Sequence, residues 1–315
     1  MSVVTLHKMQ LHDETSSNTT ETSKQTVALA ESAAAITDTV AAPEIGISKP
    51  LSMAKHSLAT RFEPFLQWVF PPLMGLGLLL AIWAVISAQS QGLPGPIKTF
   101  YAAVELFKDP FYINGPNDQG IGWNILASLK RVSLGFGMAA IVGIPFGFMI
   151  GRFAFLSRMT APIISLLRPV SPLAWLPIGL LVFKAANPAA IWVIFISAIW
   201  PMIINTAVGV SKVPQDYMNV AKVLNLSEWK IVTKILFPSV LPYMLTGVRL
   251  SIGVAWLVIV AAEMLTGGVG IGFWVWDEWN NLNVEHIIIA IFVVGIVGLL
   301  LEQLLIAIAN KFSYE

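Results

Sequence analysis

Residues 217–242 read YMNVAKVLNLSEWKIVTKILFPSVLP. The stretch lies between two long apolar runs and carries three lysines, one glutamate and two prolines. Pro214, just before it, suits the first position of a helix, and Asp216 suits the positive end of the helix dipole. Tyr217, Val220, Ala221 and Leu224 fall on one face at helical spacing. Asn225 stands where a helix closes with a left-handed residue, a position that takes Gly first and Asn second. Ser227 suits the cap of a second helix, with Glu228 in its first turn. Trp229, Val232, Ile235 and Leu236 then form an apolar stripe that Pro238 is expected to end. The pattern predicts helix, Asn turn, helix. Such a pair lies on a bilayer surface, packs beneath its own bundle or docks into a partner, and the spacing alone leaves all three open.

The chain around this stretch is built for lipid. Hydrophobic residues make up 56% of the sequence and charged residues 12%, against about 25% charged in a soluble domain. A net charge of +1 supplies no field for nucleic acid. The absence of cysteine excludes disulfides, thiolate metal sites and a Cys nucleophile. His7, His12, His56 and His286 are scattered, so no metal site is expected. Residues 1–60 differ from the rest: they are rich in Ser, Thr, Glu and Ala and cannot bury enough apolar area to offset their ordering entropy. They are read as a disordered polar tail with a short helix near 26–36. A targeting peptide is disfavoured because acidic residues are frequent and no apolar core follows a basic start.

A span needs about 20 apolar residues, and six candidates fit: 65–88, 132–151, 161–183, 189–210, 244–265 and 286–309. Lys49, Lys55, Arg61, Arg152, Arg158, Lys212, Lys222, Lys230, Lys234 and Lys311 cluster on alternate loops, which places both termini and the 211–243 loop in the cytoplasm. In the second span Gly135, Ala139, Gly143, Gly147 and Gly151 recur every four residues, a small-residue stripe that admits a neighbouring backbone. The third span carries Pro162, Pro169, Pro172 and Pro177, each expected to kink it. Irregular backbone at membrane depth is tolerated only against protein or a water-filled cavity, so this span is expected to line a path.

The opening stretch also resembles the "EAA" loop of ABC importer permeases, which runs Glu-Ala-Ala, three residues, Gly, nine residues, Ile-x-Leu-Pro. Here Asn219, Val220 and Ala221 are followed by Asn225 and then by Ile235, Leu236, Phe237 and Pro238. The spacing is kept throughout, while the identities depart at the Glu, the first Ala, the Gly and the Leu. The segments SLKRVSLGFGMAAIVGIPFG, RPVSPLAWLPIGL and LPYMLTGVRLSIGVAWLVIVAAEML extend the resemblance over 61–310 to the nitrate, bicarbonate, cyanate, taurine and alkanesulfonate permease family. INTAVGV, PQDYMNVAKVL and GGVGIGFWVWDEWNNLNVEHIIIAI are most similar to its nitrate branch.

The resemblance implies an all-α membrane protein of the type I ABC importer permease architecture, with six transmembrane helices over 61–311 and a cytoplasmic coupling helix in the 211–243 loop. It implies a subunit of an importer for a small inorganic anion, nitrate first and nitrite with it, then bicarbonate or cyanate, then taurine or alkanesulfonates. It implies a bacterial inner membrane, a second permease copy, two ATP-binding subunits holding ATP and Mg, and an extracytoplasmic substrate-binding protein. No cofactor is expected in this chain. The coupling residues it implies are Asn219, Val220, Ala221, Asn225, Leu226, Ile235 and Pro238.

The sequence offers no catalytic constellation: no phosphate-cradling Gly-Lys-Ser/Thr loop, no His-Glu-x-x-His and no nucleophile elbow occur. GGVGIGF at 267–273 follows a span rather than a strand and is read as a flexible extracytoplasmic turn. Ionisable residues inside spans are functional candidates by default. Arg168 and Arg249 would favour an anion, or else form salt bridges or snorkel. Ser171, Trp175 and Asn205 join them as path candidates. Glu263 reads as a structural partner or gate element. Asn205 and Ser197, eight residues apart, share a face and are expected to bond between helices. Trp274, Trp276 and Trp279 read as an aromatic belt or, with Asp277 and Glu278, as a docking surface for a binding protein. Lys130 and Arg131 are placed at the outer mouth, as interface anchors or an anion funnel.

Overall fold

The computed structural model describes residues 59–90 and 92–312. The expected tail and its helix near 26–36 lie outside the described residues. Ten helices follow: α1 (Ala59–Gln89), α2 (Pro96–Leu106), α3 (Ile121–Arg152), α4 (Ala154–Leu167), α5 (Leu176–Phe183), α6 (Ala186–Ser211), α7 (Gln215–Val223), α8 (Glu228–Thr266), α9 (Ile271–Asn280) and α10 (Val284–Phe312). Five of them, α1, α3, α6, α8 and α10, are long and apolar enough to cross a membrane. The bent pair α4–α5 supplies a sixth crossing if taken as one span.

The core is built where α3, α6 and α8 meet. Ile121, Val132, Ala139, Ile194, Ala198, Met202, Ala255 and Ile259 are buried together there. The small-residue stripe of α3 makes this possible. Gly135, Ala139, Gly143 and Gly147 are buried along the α6 contact. A Cβ on Gly135 would lie 2.7 Å from Ile194, and one on Gly151 would lie 2.6 Å from Val210. The backbones therefore approach as closely as glycine permits. The side chains of α1 from Phe70 to Ile86 remain largely exposed, as suits a hydrocarbon-facing helix.

Two proline expectations change. The third span is not a kinked single helix: α4 and the segment Pro172–Phe183 meet at 95°. Pro162 sits inside α4 without ending it. The break falls between Arg168 and Ser171, where Pro169 and Pro172 come close together. A proline disfavours helical backbone at the residue before it: Ser171, before Pro172, is extended at φ −56° and ψ 128°, whereas Arg168, before Pro169, stays helical. Conversely, Pro238 ends nothing. The helix starting at Glu228 runs for 39 residues through Pro238 and Pro242 to Thr266. A π-helical turn at Val232–Leu236 precedes Pro238. Pro145, Pro162 and Pro201 likewise sit inside helices without ending them, as neighbouring helices make possible in membrane spans.

Candidate functional site

The 211–243 loop forms the first candidate surface. Helix α7 closes as the spacing predicts. Asn225 is left-handed, at φ +50°. The Leu226 N–H donates to Ala221 O at 3.0 Å and the Asn225 N–H to Lys222 O at 3.0 Å, the paired bonds of a Schellman closure. Ser227 takes the cap position of α8 but makes no side-chain cap bond. One face of the loop is anchored on the bundle: Met218, Ala221, Ile231 and Leu236 are buried with Val210, Val240 and Met244. The opposite face is open, and it is apolar. Val223 is 83% exposed and Trp229 76%, and Tyr217, Val220 and Leu224 are exposed beside them.

This corrects the sequence reading in one respect. Tyr217, Val220 and Leu224 do share a face, but Ala221 turns the other way and is fully buried. A small side chain is what allows α7 to sit on the bundle at that point. Among the other expected coupling residues, Asn219, Val220, Asn225 and Pro238 are exposed, while Leu226 and Ile235 are half-buried against the loop's own core. The apolar stripe of the second helix is split as well, with Trp229 outward and Leu236 inward. A cavity of about 800 Å³ separates the loop from the ends of α3, α4 and α6, and Arg152, Lys222 and Glu228 line it. Arg152 Nη2 pairs with Glu228 at 3.2 Å across it.

The second candidate is a cavity of about 410 Å³ where the α4–α5 bend faces α6 and α8. Arg168, Ser197, Asn205 and Trp200 line it with Leu250 and Val254. Ser197 and Asn205 share a face as their spacing predicts, but they bond within their own helix rather than between helices. Ser197 Oγ donates to Ile194 O at 2.8 Å and Asn205 Nδ2 to Pro201 O at 2.8 Å. That leaves Asn205 Oδ1 unused among the described residues. The Arg168 side chain forms no ion pair or hydrogen bond among the described residues. Ser171 and Trp175 stand on the bend itself and are not part of the cavity lining. Arg249 is a correction: it sits on α8 beside a separate pocket lined by α10, and its Nε pairs with Glu302 of α10 at 2.8 Å. Its charge is answered by a carboxylate and is not offered to the cavity.

Glu263 is the third candidate. Its side chain is 1% exposed, and donors surround it. Ser128 Oγ lies 2.7 Å from Oε2, the Gly272 N–H 3.0 Å from Oε2, and Arg131 Nη1 2.6 Å from Oε1. Arg131 also donates through Nη1 to Val269 O at 2.7 Å and through Nε to Asn187 Oδ1 at 2.6 Å. Asn124 Oδ1 accepts from the Gly270 N–H at 2.8 Å, and Ser128 Oγ from the Ile271 N–H at 2.9 Å. Glu263 is therefore a structural partner, and Arg131 is neither an interface anchor nor a funnel. The glycine stretch is not a free turn: its backbone bonds to Asn124, Ser128, Arg131 and Glu263, and Ile271 already opens α9. A Cβ on Gly270 would lie 2.4 Å from the Glu263 carboxyl carbon, and one on Gly272 2.0 Å from Val260 O. Only glycine lets the turn wrap the carboxylate so closely.

Sequence reasoning missed the partners of Glu263, although a signal was present. Asn124, Ser128 and Arg131 fall at i, i+4 and i+7, a polar stripe on the first turns of α3. A second span beginning at 132 leaves these residues outside the helix, whereas α3 starts at Ile121. The tryptophans divide too: Trp274 is buried and stacks on His286 at 5.8 Å, whereas Trp276 and Trp279 are exposed. His286 Nδ1 faces Glu278 Oε2 at 3.1 Å.

Comparison with known proteins matches this architecture. Residues 143–313 match the family described as binding-protein-dependent transport system inner membrane component. The chain is 49% identical over 236 residues to the nitrate import permease protein NrtB of a Synechocystis species, covering 75% of this chain and 86% of that protein. It is 46% identical over 242 residues to the bicarbonate transport system permease protein CmpB of Synechococcus elongatus, covering 76% and 87%. Among solved structures, an inward-facing MetNI methionine ABC transporter shares the fold, with a TM-score of 0.52 at 14% identity over 61% of this chain and 95% of that one. With its helical bundle, bent crossing and bundle-seated loop, the chain belongs to the inner membrane components of binding-protein-dependent transport systems, as a multi-pass ABC importer permease of the type I fold.

Proposed function

We propose that this permease carries nitrate, with nitrite as a second cargo. One observation supports the reading above others. The cavity at the α4–α5 bend is lined by Arg168, whose charge no acid answers among the described residues, while the Ser197 hydroxyl proton and one Asn205 amide proton are already donated within their own helix. Among the described residues no acidic side chain lines it. Such a lining favours an anion over a cation or a neutral solute. A guanidinium suits a planar oxyanion because its donors form a fixed fork. Bicarbonate, also a planar oxyanion, is the second reading, and relatives named for the two anions match this chain to nearly the same degree.

ATP is hydrolysed on two separate subunits in this scheme, and each grips one 211–243 loop through the open face formed by Tyr217, Val220, Val223, Leu224 and Trp229. Asn219, Asn225 and Pro238 border that contact, while Ala221, Leu226 and Ile235 seat the loop on its own bundle. A second copy of the chain completes the path, and the exposed residues Ile163, Leu166 and Val170 near the bend supply apolar surface for it. The loop and both termini face the cytoplasm, and α9 faces outward toward a substrate-binding protein. Closure of the ATPase pair rocks the loops and with them the bundle around the Arg168 cavity.

The test is uptake of labelled nitrate and labelled bicarbonate by cells with the gene deleted and restored. Nitrate uptake is expected to disappear and return while bicarbonate uptake stays constant. Loss of bicarbonate uptake alone would move the cargo to the second reading, and no change in either would overturn the anion assignment.

A further inference from the structure

The cavity of about 800 Å³ beneath the 211–243 loop has a chemistry that neither the open loop face nor the Arg168 cavity uses. It lies behind the loop. Met218, Ile231 and Leu236, which seat the loop on the bundle, line it. The open-face residues Tyr217, Val220, Val223, Leu224 and Trp229 do not. A ligand held there leaves the open face free for a partner. The volume is on the scale of sites for organic ligands, roughly 300–1,000 Å³.

The walls carry an excess of positive charge. Arg152 and Lys222 line the cavity with a single carboxylate, that of Glu228. The Arg152–Glu228 bonds, at 3.2 and 3.3 Å, run through Nη2 alone. They are longer than the about 2.7–2.9 Å of a strong charge-assisted bond. Arg152 Nε is buried and has no partner among the described residues. Lys222 makes no ion pair among them. Three helices also start on this cavity: Ala154 opens α4, Gln215 opens α7 and Glu228 opens α8, and all three residues line it. None of these starts has a side-chain cap bond. Their first N–H groups and the positive ends of their dipoles therefore add to the field of the two cations. The floor differs in kind. Ile150, Ala207 and Val208 make it apolar, and Val208 is exposed, so the apolar side opens outward.

A guanidinium, an ammonium and uncapped helix starts suit a group with several acceptor oxygens and a negative charge. The apolar floor suits an organic body attached to that group, which a bare inorganic anion lacks. We propose that this cavity is a binding site for a phosphate ester, with Arg152 and Lys222 holding the phosphate and Ile150, Ala207 and Val208 under its organic part. The headgroup of an anionic phospholipid and a soluble phosphate ester offer the same chemistry. Glu228 opposes the anion in this site, because its carboxylate competes for Arg152. The inference does not rest on the cargo proposed above.

The experiment measures binding of labelled phosphatidylglycerol and, separately, of labelled glycerol 3-phosphate to the assembled complex, purified in detergent without nucleotide. Saturable binding of at least one probe is expected. It is expected to weaken about tenfold in Lys222→Gln and in Arg152→Gln, the scale of one hydrogen bond to a charged group, and to stay unchanged in Arg249→Gln, whose charge lies away from the cavity. Glu228→Gln is expected to tighten binding severalfold. If Arg152 and Glu228 served only to brace the loop, both of their variants would weaken binding, and that result would overturn the proposal. Lys222→Gln breaks no ion pair and decides the matter if Arg152→Gln fails to assemble. Binding of phosphatidylglycerol alone supports the site and assigns it to lipid, and binding of glycerol 3-phosphate supports it and assigns it to a soluble ester. Binding of neither probe, or binding that Lys222→Gln leaves unchanged, would overturn the proposal.

Discussion

Gly147 and Gly137 lie on the same helix, ten residues apart, and differ in one respect that decides what alanine does to each. A Cβ at Gly147 would meet Thr206 Cβ at 2.7 Å and Ile203 O at 2.8 Å, whereas one at Gly137 would meet nothing within 4 Å. At both positions alanine gains helix propensity, about 1 kcal/mol in water. At Gly147 that gain is opposed by overpacking, typically about 1–3 kcal/mol. Ordinary contact begins near 3.4 Å, so α3 and α6 have to part by several tenths of an ångström along the stripe through Gly143 and Gly151. Gly137→Ala is therefore expected to be neutral or stabilising, and Gly147→Ala to be the less stable of the two by about 2 kcal/mol. For a domain of this size that gap corresponds to roughly 4–8 °C in Tm. Thermal unfolding of the assembled complex, the two variants scanned side by side at one rate, measures it. Equal stability of the two variants would refute the claim that the small-residue stripe sets the α3–α6 distance.

Four further outcomes follow from the loop and the cavity. Val220→Asp, on the open face, is expected to weaken binding of the ATPase subunits at least about tenfold by placing a charge in an apolar contact, while membrane insertion is retained. Ala221→Leu is expected to act inward, lowering stability by about 1–3 kcal/mol, and co-purification with the ATPase subunits separates the two effects. Arg168→Ala is expected to reduce nitrate uptake about tenfold or more, whereas Arg249→Ala, which breaks a pair with Glu302 away from the cavity, is expected to leave uptake close to wild type at matched expression. Equal losses of uptake from both variants at matched expression would argue against the cavity as the anion site. Asn225→Gly is expected to be neutral, and Asn225→Val to cost about 1–2 kcal/mol because a branched side chain is forced to positive φ, read again by thermal unfolding.

What the sequence revealed was what depends on local chemistry. The Asn225 closure follows from one residue's tolerance of left-handed backbone, and the α3 stripe from a four-residue period, so both were readable in a window of a few residues. The bend at Arg168–Ser171 was half legible: four prolines announced irregular backbone, but only before Pro172 does the residue leave helical geometry. The passage of α8 through Pro238 was not legible, because what lets a helix continue past a proline is its packing on neighbouring helices. The direction of Ala221 was hidden for the same reason. A helical wheel gives faces, and which of two apolar faces turns inward is settled by Val210, Val240 and Met244 from other elements. The Glu263 clasp was hidden by a span boundary placed eleven residues late, which put Asn124, Ser128 and Arg131 outside the helix that presents them together.

The central claim is that ATP hydrolysed on other subunits drives an anion through this chain. Proteoliposomes containing the complete complex, with binding protein outside and ATP inside, test it most directly by accumulation of labelled nitrate. The account predicts accumulation against a gradient that requires ATP, the binding protein and Arg168 together. Nitrate flux through this chain alone at the rate of the full complex, or no accumulation when all components are present, would contradict it.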